Sequence, residues 1–463
     1  MREFDIVIIG AGPGGYVAAI RAAQLGARVA IVEKDKVGGT CLNRGCIPTK
    51  SLYYSAKALT NARHAGDFGV ELGEIRFNIG IAMDRKDDVV KKLVGGVEQL
   101  LKGNGVEVLR GDGFIESAGK VTLKKTEGAE TIGCKSIIVA TGSEPAMIPA
   151  FNIDGKNVIT STEALALRKV PESILIIGGG VMGCEFATLF LAFGSKVMIV
   201  ELLPTILSNE DKMVSRVILK RYKDTGVNVL TEVSVEEVRA VENGVKTRLK
   251  DGREFLTEKV LVTIGRSFNS SRIGLENAGV TLDRGRITVN EKMETNVKGI
   301  YAIGDVTGKM LLAHVASVQG IVAVSNALGK SKSMDYSAVP AGTFTDPEIG
   351  SVGLKEKDAA EKGIPVAVGR FPYAASGKAL GMGETDGFVQ IVADPSTDRV
   401  LGCSIVGAHA TDLLSEVTLA VRIGAKVEDI VETIHAHPTL PEITLEAAED
   451  VHGMAIHKIG RKK

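Results

Sequence analysis

Two cysteines, Cys41 and Cys46, stand in the stretch GGTCLNRGCIPTK at positions 38–50. The other three, Cys134, Cys184 and Cys403, are isolated among apolar neighbours, where a free cysteine is usually a small buried hydrophobe. A close pair of this kind serves as a structural staple, as half of a metal site, or as a redox couple. Zinc sites draw on paired short spacings, and there is no second cysteine pair, so no metal site is expected. A reducing compartment disfavours a purely structural disulfide. Redox chemistry remains, set against coincidence. Downstream, IPTKSLYYSAKALTNA has helical character, with Pro48 tolerated in a first turn. The pair then falls at a helix N-terminus, where the dipole favours thiolate. Gly38 and Gly39 would let the backbone run close to a flat ligand.

The elements that must position such a pair announce themselves as an internal repeat. FDIVIIGAGPGGYVAAIRAAQLGARVAIVE (4–33) aligns without a gap on ESILIIGGGVMGCEFATLFLAFGSKVMIVE (172–201). Gly10, Gly12, Gly15 and Glu33 match Gly178, Gly180, Gly183 and Glu201. Each copy reads as a β-branched strand, a glycine turn, a helix, and a second strand ending in a carboxylate. In this pattern the first glycine makes the tight turn and the second lets the backbone approach a pyrophosphate. The third lets the helix pack on the strand, and the acid accepts from a ribose diol. One such turn is weak evidence; two in register predict two bound dinucleotides. Glu201 favours a free 2′-hydroxyl, hence NAD over NADP. A dithiol beside a dinucleotide needs a two-electron mediator to a nicotinamide, which points to FAD in one module and NAD in the other.

Three further segments, SIIVATGS (136–143), KVLVTIGRS (259–267) and GIYAIGDV (299–306), read as strands delivering the chain to a ligand edge, the last tipped by Asp305. Because it follows the second module, the first domain is expected to be discontinuous: 1–145 with 275–340 forming one domain and 146–274 the other. Residues 341–463 change texture. GFVQIVADPSTDRVLGCSIVG (387–407) reads as a hairpin, with helices expected at 411–424 and 439–453, an α+β domain without a nucleotide signature. LGKSKSMDYSAVPAG (328–342) is the expected connector, and 83–101 an amphipathic helix with a solvated face.

Composition narrows the class. The chain has 463 residues, 44% hydrophobic and 24% charged, with 56 basic and 56 acidic side chains. A net charge of zero argues against a protein that grips nucleic acid or an anionic membrane. Asp5 interrupts the N-terminal apolar run, which is unlike a signal peptide. No stretch of 18 or more uncharged apolar residues suggests a membrane span. A cytoplasmic location is expected, and the basic end HKIGRKK reads as a solvated tail.

Taken together, GAGPGG, GGTCLNRGCIPTK, VATGS, GGGVMGCE, IVE, IGR, YAIGDV, LLAH and HAHPTLPE resemble the flavin-dependent pyridine nucleotide–disulfide oxidoreductase family over nearly the whole chain. The resemblance implies an α/β fold with two Rossmann-like dinucleotide-binding domains, for FAD and NAD, and a C-terminal α+β dimerisation domain. It implies that Cys41 and Cys46 form a redox disulfide, Cys46 facing the flavin and Cys41 exchanging with substrate. Lys50 would approach the flavin ring with Glu185 as its ionic partner. Gly39, Thr40, Gly113, Thr141, Gly142, Asp305 and Ala313 would contact FAD, and Val233 and Gly265 would contact NAD. Read without the resemblance, Lys50 is equally a solvent-facing helix residue and Glu185 a complement to a helix dipole.

His437 and Glu442 close the set. Thr439-Leu440-Pro441-Glu442 also spells a capping box, so spacing alone leaves Glu442 either closing a helix or pairing with His437. The resemblance makes HPTLPE the base motif, with His435 a supporting neighbour, in a homodimer whose active site is completed by the partner subunit. The implied reaction is oxidation of a dihydrolipoyl group by NAD⁺, on lipoyl domains of 2-oxoacid dehydrogenase complexes or on the glycine cleavage lipoyl carrier. Three positions depart from the common pattern: Arg44 between the cysteines, where a shift in thiol pKa is expected, Gln319 in place of an acid, and Asp346 in place of histidine. Glutathione-type reductases would want arginines rather than Glu201. Mercuric and large thioredoxin reductases would want a C-terminal thiol pair, whereas the last cysteine is Cys403. An NADH diaphorase or oxidase, or a non-catalytic flavin scaffold, are the alternatives of another class.

Overall fold

A computed structural model describes residues 1–459; the last four residues of HKIGRKK lie outside the described residues. The chain divides into two compact units. One comprises Met1–Pro149, Thr160–Lys169 and Ile264–Asp335; the other comprises Ala150–Ile159, Val170–Thr263 and Tyr336–Lys463.

In the first unit the strand Arg2–Ile9 is central. It pairs in parallel with Val29–Glu33 on one side and Gly128–Val139 on the other, and Glu107–Arg110 and Ile300–Ala302 extend the sheet outward. VAIVE (29–33) is buried at every position, as a strand covered on both faces must be. The strand Gly128–Val139 serves twice. Its last residues join the parallel sheet, while its first half pairs antiparallel with Lys120–Lys125, which pairs in turn with Asp112–Ser117. All parallel strands end on one edge, where Gly10, Glu33, Thr141, Gly142 and Asp305 follow, the edge where open α/β sheets hold ligands.

Above this sheet the helix Pro13–Gln24, with Pro13 well placed in its first turn, packs on Ala313–Ala327 through small residues. A Cβ at Gly320 would lie 2.7 Å from the Gly14 carbonyl oxygen, and one at Gly14 would lie 3.1 Å from that of Ala316. The expected 83–101 helix runs longer, over Ile79–Gly103, with the Asn78 side chain accepting from the Ile81 N–H.

The second unit repeats the plan. Ser173–Ile177 lies between Lys196–Val200 and Lys259–Val262, flanked by Asn228–Leu230 and Val158–Ile159, all parallel. An antiparallel meander, 235–257, precedes Lys259–Val262, as one precedes the parallel end of Gly128–Val139. The same unit carries a five-stranded antiparallel sheet ordered 341–343, 348–353, 400–407, 388–393, 367–372, which contains the expected hairpin. The helices Ala410–Ile423 and Glu442–Val451 cover it and share its core with Phe371, Val389, Ile391, Ile405 and Leu414. The second helix starts at Glu442 rather than 439, because Thr439 and Pro441 form its approach. Cys134, Cys184 and Cys403 are buried, as their apolar surroundings require. No helix among the described residues is long and apolar enough to cross a membrane.

Gly320→Val should overpack the crossing with Pro13–Gln24 and cost about 1–3 kcal/mol, seen as a thermal midpoint lowered by several degrees in differential scanning calorimetry.

Candidate active site

The two glycine turns fit a dinucleotide by the room they leave. A Cβ on Gly15 would lie 1.9 Å from the Gly10 carbonyl oxygen, and one on Gly183 would lie 1.9 Å from that of Gly178, so the third glycines are dictated by helix–strand packing. At the second glycine the situation reverses: Gly180 has nothing within 4 Å and Gly12 only the Cα of Gly39 at 3.9 Å. Open space therefore lies where a pyrophosphate would approach. The helices Pro13–Gln24 and Val181–Phe193 begin at those residues without a side-chain cap, leaving backbone N–H groups for an anion. Glu33 accepts from the Ala11 N–H at 2.7 Å and the Asp35 N–H at 2.8 Å. Glu201 accepts from Gly179 at 2.6 Å and Leu203 at 2.8 Å. Each carboxylate is thus fastened to its own glycine turn. Burial pushes the Glu33 carboxyl up, against the opposing pull of the Ala11 N–H, Arg110, Lys34 and Arg44.

The cysteine segment is seated against the first turn. The Gly38 N–H donates to the Ala11 carbonyl at 2.8 Å, and a Cβ on Gly39 would lie 2.7 Å from the Cα of Gly12. Gly39, at φ +56°, opens the short helix Gly39–Arg44, which carries Thr40 and Cys41; after Gly45, Cys46 opens the helix Cys46–Arg63. The close approach these two glycines make is to the backbone of Ala11 and Gly12. Asn43 fastens the segment by donating to the carbonyls of Val37 and Gly39. No disulfide joins the two cysteines in this structure, in which Cys41 is half-buried and Cys46 exposed. A hydrogen bond to Cys46, and then burial, push the Cys41 thiol far above the usual range, with Lys50 opposing. Lys50 lies one turn beyond Cys46 on the same helix.

Arg44 pairs with Asp35, both side chains partly exposed. An exposed pair of this kind is worth about 0–1 kcal/mol.

At the strand edge of the same unit, Thr141 donates from its hydroxyl to the Asn269 carbonyl at 2.7 Å, and Gly142 accepts the Asn269 N–H at 3.0 Å. Gly113 lies against Ile9 and Val32. Asp305 accepts from the Ser143 hydroxyl, and Arg266 donates to that hydroxyl at 2.6 Å and to the Ser143 carbonyl at 2.7 Å. Burial pulls Arg266 below the usual guanidinium range, while Asp305 and then Cys46 act to raise it. Gln319, fully buried, accepts the Gly304 N–H at 2.7 Å and so fixes the Asp305 turn. Ala313 is the first residue of the uncapped helix Ala313–Ala327. Ser143, Arg266 and Asn269 were not singled out from sequence. The available signal was their position just past the strand-end turns at Gly142 and Gly265.

In the second unit Glu185 is buried and accepts the Phe344 N–H at 2.9 Å. Val233 donates its N–H to the Glu201 carbonyl at 3.0 Å. Gly265, at φ +135°, belongs to the first unit and has open space where a side chain would stand. Asp346 is paired with Arg221 at 2.8 Å. His437 and Glu442 meet at 2.8 Å through Nδ1 and Oε1, while the other carboxylate oxygen accepts the Thr439 N–H at 2.7 Å. Glu442 thus fills both roles that spacing left open. The Thr439 hydroxyl does not complete the capping box; it donates to the Ala436 carbonyl. Burial would raise the Glu442 carboxyl, but the Thr439 N–H and His437 outweigh it and hold it below the usual range. The His437 side chain is 79% exposed, and with Nδ1 engaged the nitrogen left for proton transfer is Nε2.

Comparison with known proteins decides the class. Residues 4–320 match the pyridine nucleotide-disulphide oxidoreductase family model, and residues 339–448 match its dimerisation domain. The chain belongs to this family. Among its members the chain is similar to proteins named dihydrolipoyl dehydrogenase. Identity is 45% over 450 residues with that of Chlamydia trachomatis, covering 96% of each chain. With that of Bacillus subtilis it is 43% over 470 residues, covering 98% of this chain and 99% of the other. Solved family structures superpose closely: LpdA from Mycobacterium tuberculosis at a TM-score of 0.91 and 28% identity, covering 97% and 99% of the two chains. The Cu(II) complex of the HOCl-induced flavoprotein disulfide reductase RclA from Escherichia coli follows at 0.88 and 29%, with the same coverage. The chain is accordingly an NAD-dependent flavin disulfide oxidoreductase with FAD and NAD as its cofactors.

Gly39→Ala should cost about 1–2 kcal/mol from its left-handed backbone alone, and more from overlap with Gly12. A lowered flavin-to-protein absorbance ratio in the purified protein, together with a lower thermal midpoint, is the expected result.

Proposed function

We propose that this chain oxidises protein-bound dihydrolipoyl groups to the cyclic disulfide with NAD⁺ as final acceptor, in the cytoplasm and as a homodimer. The supporting observation is the Cys41–Cys46 segment seated backbone-to-backbone on the first glycine turn. Its relatives at 43–45% identity are named dihydrolipoyl dehydrogenase, whereas the likeness to RclA is 29%, which favours this substrate over others of the family. The division of residues 146–274 as the NAD domain and 341–463 as the interface domain belongs to the same reading.

In the proposed reaction His437 of one subunit serves the dithiol of the other. Its Nε2 takes the proton of one substrate thiol, while Glu442 fixes the tautomer and stabilises the imidazolium. The thiolate attacks the Cys41 sulfur of the Cys41–Cys46 disulfide. An S–S bond forms to Cys41, and the old one breaks, with Cys46 leaving as thiolate. The second substrate thiol attacks the substrate sulfur of this mixed disulfide, closing the lipoyl ring, and its proton passes to Cys41, which leaves as a thiol. Two electrons now rest on the dithiol. When bound, FAD supplies a two-electron carrier that accepts this pair and yields a hydride to NAD⁺. Lys50 and Glu185 are assigned as the ionic pair beside the flavin. Gly10, Gly12, Gly15, Glu33, Gly39, Thr40, Gly113, Thr141, Gly142, Asp305 and Ala313 hold FAD. Gly178, Gly180, Gly183, Glu201, Val233 and Gly265 hold NAD. The partner is a lipoyl domain of a 2-oxoacid dehydrogenase complex or the glycine cleavage lipoyl carrier.

Cys46→Ser should abolish dihydrolipoamide oxidation in a steady-state assay while NADH–dye turnover persists; unchanged lipoamide turnover would exclude the dithiol. His437→Gln should lower kcat/KM for dihydrolipoamide by roughly 10²–10⁴-fold. Glu201→Ala removes a hydrogen bond from a charged acceptor, about 1.5–3 kcal/mol. It should lower kcat/KM for NAD⁺ by about tenfold or more and narrow the preference over NADP⁺.

A further inference from the structure

The segment that leads into His437 is exposed at Glu432, Thr433, Ile434, Ala436 and Pro438. One side chain in it turns inward. The imidazole of His435 is 5% exposed. Its Nδ1 lies 2.7 Å from the Thr433 carbonyl oxygen and its Nε2 lies 3.0 Å from Oε1 of Glu416, on the helix Ala410–Ile423. A carbonyl oxygen can only accept, so Nδ1 carries a proton. A second proton lies between Nε2 and the Glu416 carboxyl, since neither atom can face the other without one. The pair therefore holds two protons and two directional bonds, and the ring cannot turn over without losing both.

From this ring to His437 there is one residue, Ala436, and its carbonyl accepts the Thr439 hydroxyl at 2.6 Å. Thr439 in turn gives its N–H to Glu442 at 2.7 Å. The segment is thus fixed at two points: on Ala410–Ile423 through His435 and on Glu442–Val451 through Glu442. His437 lies between them. His435 is also among the charges that hold the Glu442 carboxyl low, after the Thr439 N–H and His437 itself. The geometry points to His435 as a positioning residue for the base, acting through the His435–Glu416 link to hold the His437 backbone where its Nδ1 meets Glu442. This rests on the function proposed above for its kinetic reading, though not for its structural one.

The test is a double-mutant cycle on the flavin-loaded full-length protein. His435→Asn should lower kcat/KM for dihydrolipoamide by about 10- to 100-fold, the scale of a base displaced by around an ångström. NADH–dye turnover should stay within roughly twofold on the same scale. In a His437→Gln background the same change should cost less than about twofold, because the group it positions is already gone. Equal losses in both backgrounds, or dye turnover falling in parallel, would overturn the assignment and leave His435 a general support of the fold. Hydrogen exchange of the peptide spanning 433–441, followed by mass spectrometry, gives a second reading that needs no substrate. Faster exchange in His435→Asn and in Glu416→Ala supports the link, and unchanged exchange overturns it. Should the unaltered protein not oxidise dihydrolipoamide, the proposed function fails while the exchange experiment still decides the role of His435.

Discussion

A backbone-on-backbone contact governs the arrangement of the first unit. Gly39 stands so close to Gly12 that a single methyl on the former would fall 2.7 Å from the Cα of the latter. That approach, reinforced by the Gly38 N–H on the Ala11 carbonyl, seats the cysteine segment on the first glycine turn. Neither glycine can be understood alone. A Cβ on Gly12 would meet only the Cα of Gly39, at 3.9 Å, and Gly39 must be bare to admit Gly12. The small-residue crossing of Pro13–Gln24 with Ala313–Ala327 and the buried amide of Gln319 serve the same end from the other side, since they settle the turn that carries Asp305.

The second unit shows what the same plan looks like without the dithiol. Its glycine turn, its fastened acid and its strand order repeat those of the first. The repetition extends to the loop that follows the second strand: Gly38 donates to the Ala11 carbonyl at 2.8 Å, and Leu207 donates to the Gly179 carbonyl at 2.8 Å. Beyond that shared hydrogen bond the two diverge. The first continues into Gly39–Arg44 and Cys46–Arg63, whereas the second packs Ile206 over Gly179 and continues into Lys212–Thr225. The redox segment occupies a position that the common module offers and that its second copy fills with aliphatic side chains.

This division explains what was legible in the sequence. Glycines, the terminal acids and the strand ends follow from spacing within some thirty residues, a range over which periodicity constrains local geometry. The cysteine pair was visible as chemistry, and His437 with Glu442 as two competing readings of one short segment. Those readings turn out to be compatible, because a carboxylate has two oxygens and spends one on each partner. The Ser143–Arg266–Asp305 group and the Asn269 clasp were not legible, since their members lie on chain segments brought together only by sheet order. The same holds for Asp35, the ionic partner of Arg44. No pattern within CLNRGC discloses a partner that lies outside it.

The two cysteines differ by position before any ligand arrives. Cys46 is the first residue of an 18-residue helix, where the end charge of the backbone favours an anion by about 0.3–1 kcal/mol. Cys41 lies within a six-residue helix, too short to offer the same field, and is partly buried. Its hydrogen bond with Cys46, and then burial, push its thiol far above the usual range, with Lys50 opposing. Negative charge in the reduced pair is therefore directed toward Cys46. In the reaction proposed above, that is the sulfur which leaves when Cys41 is attacked, and the better-stabilised thiolate departs more readily. The difference between the two thiols thus follows from where the long helix begins, and Gly45, which separates the two helices, is the residue that draws that boundary.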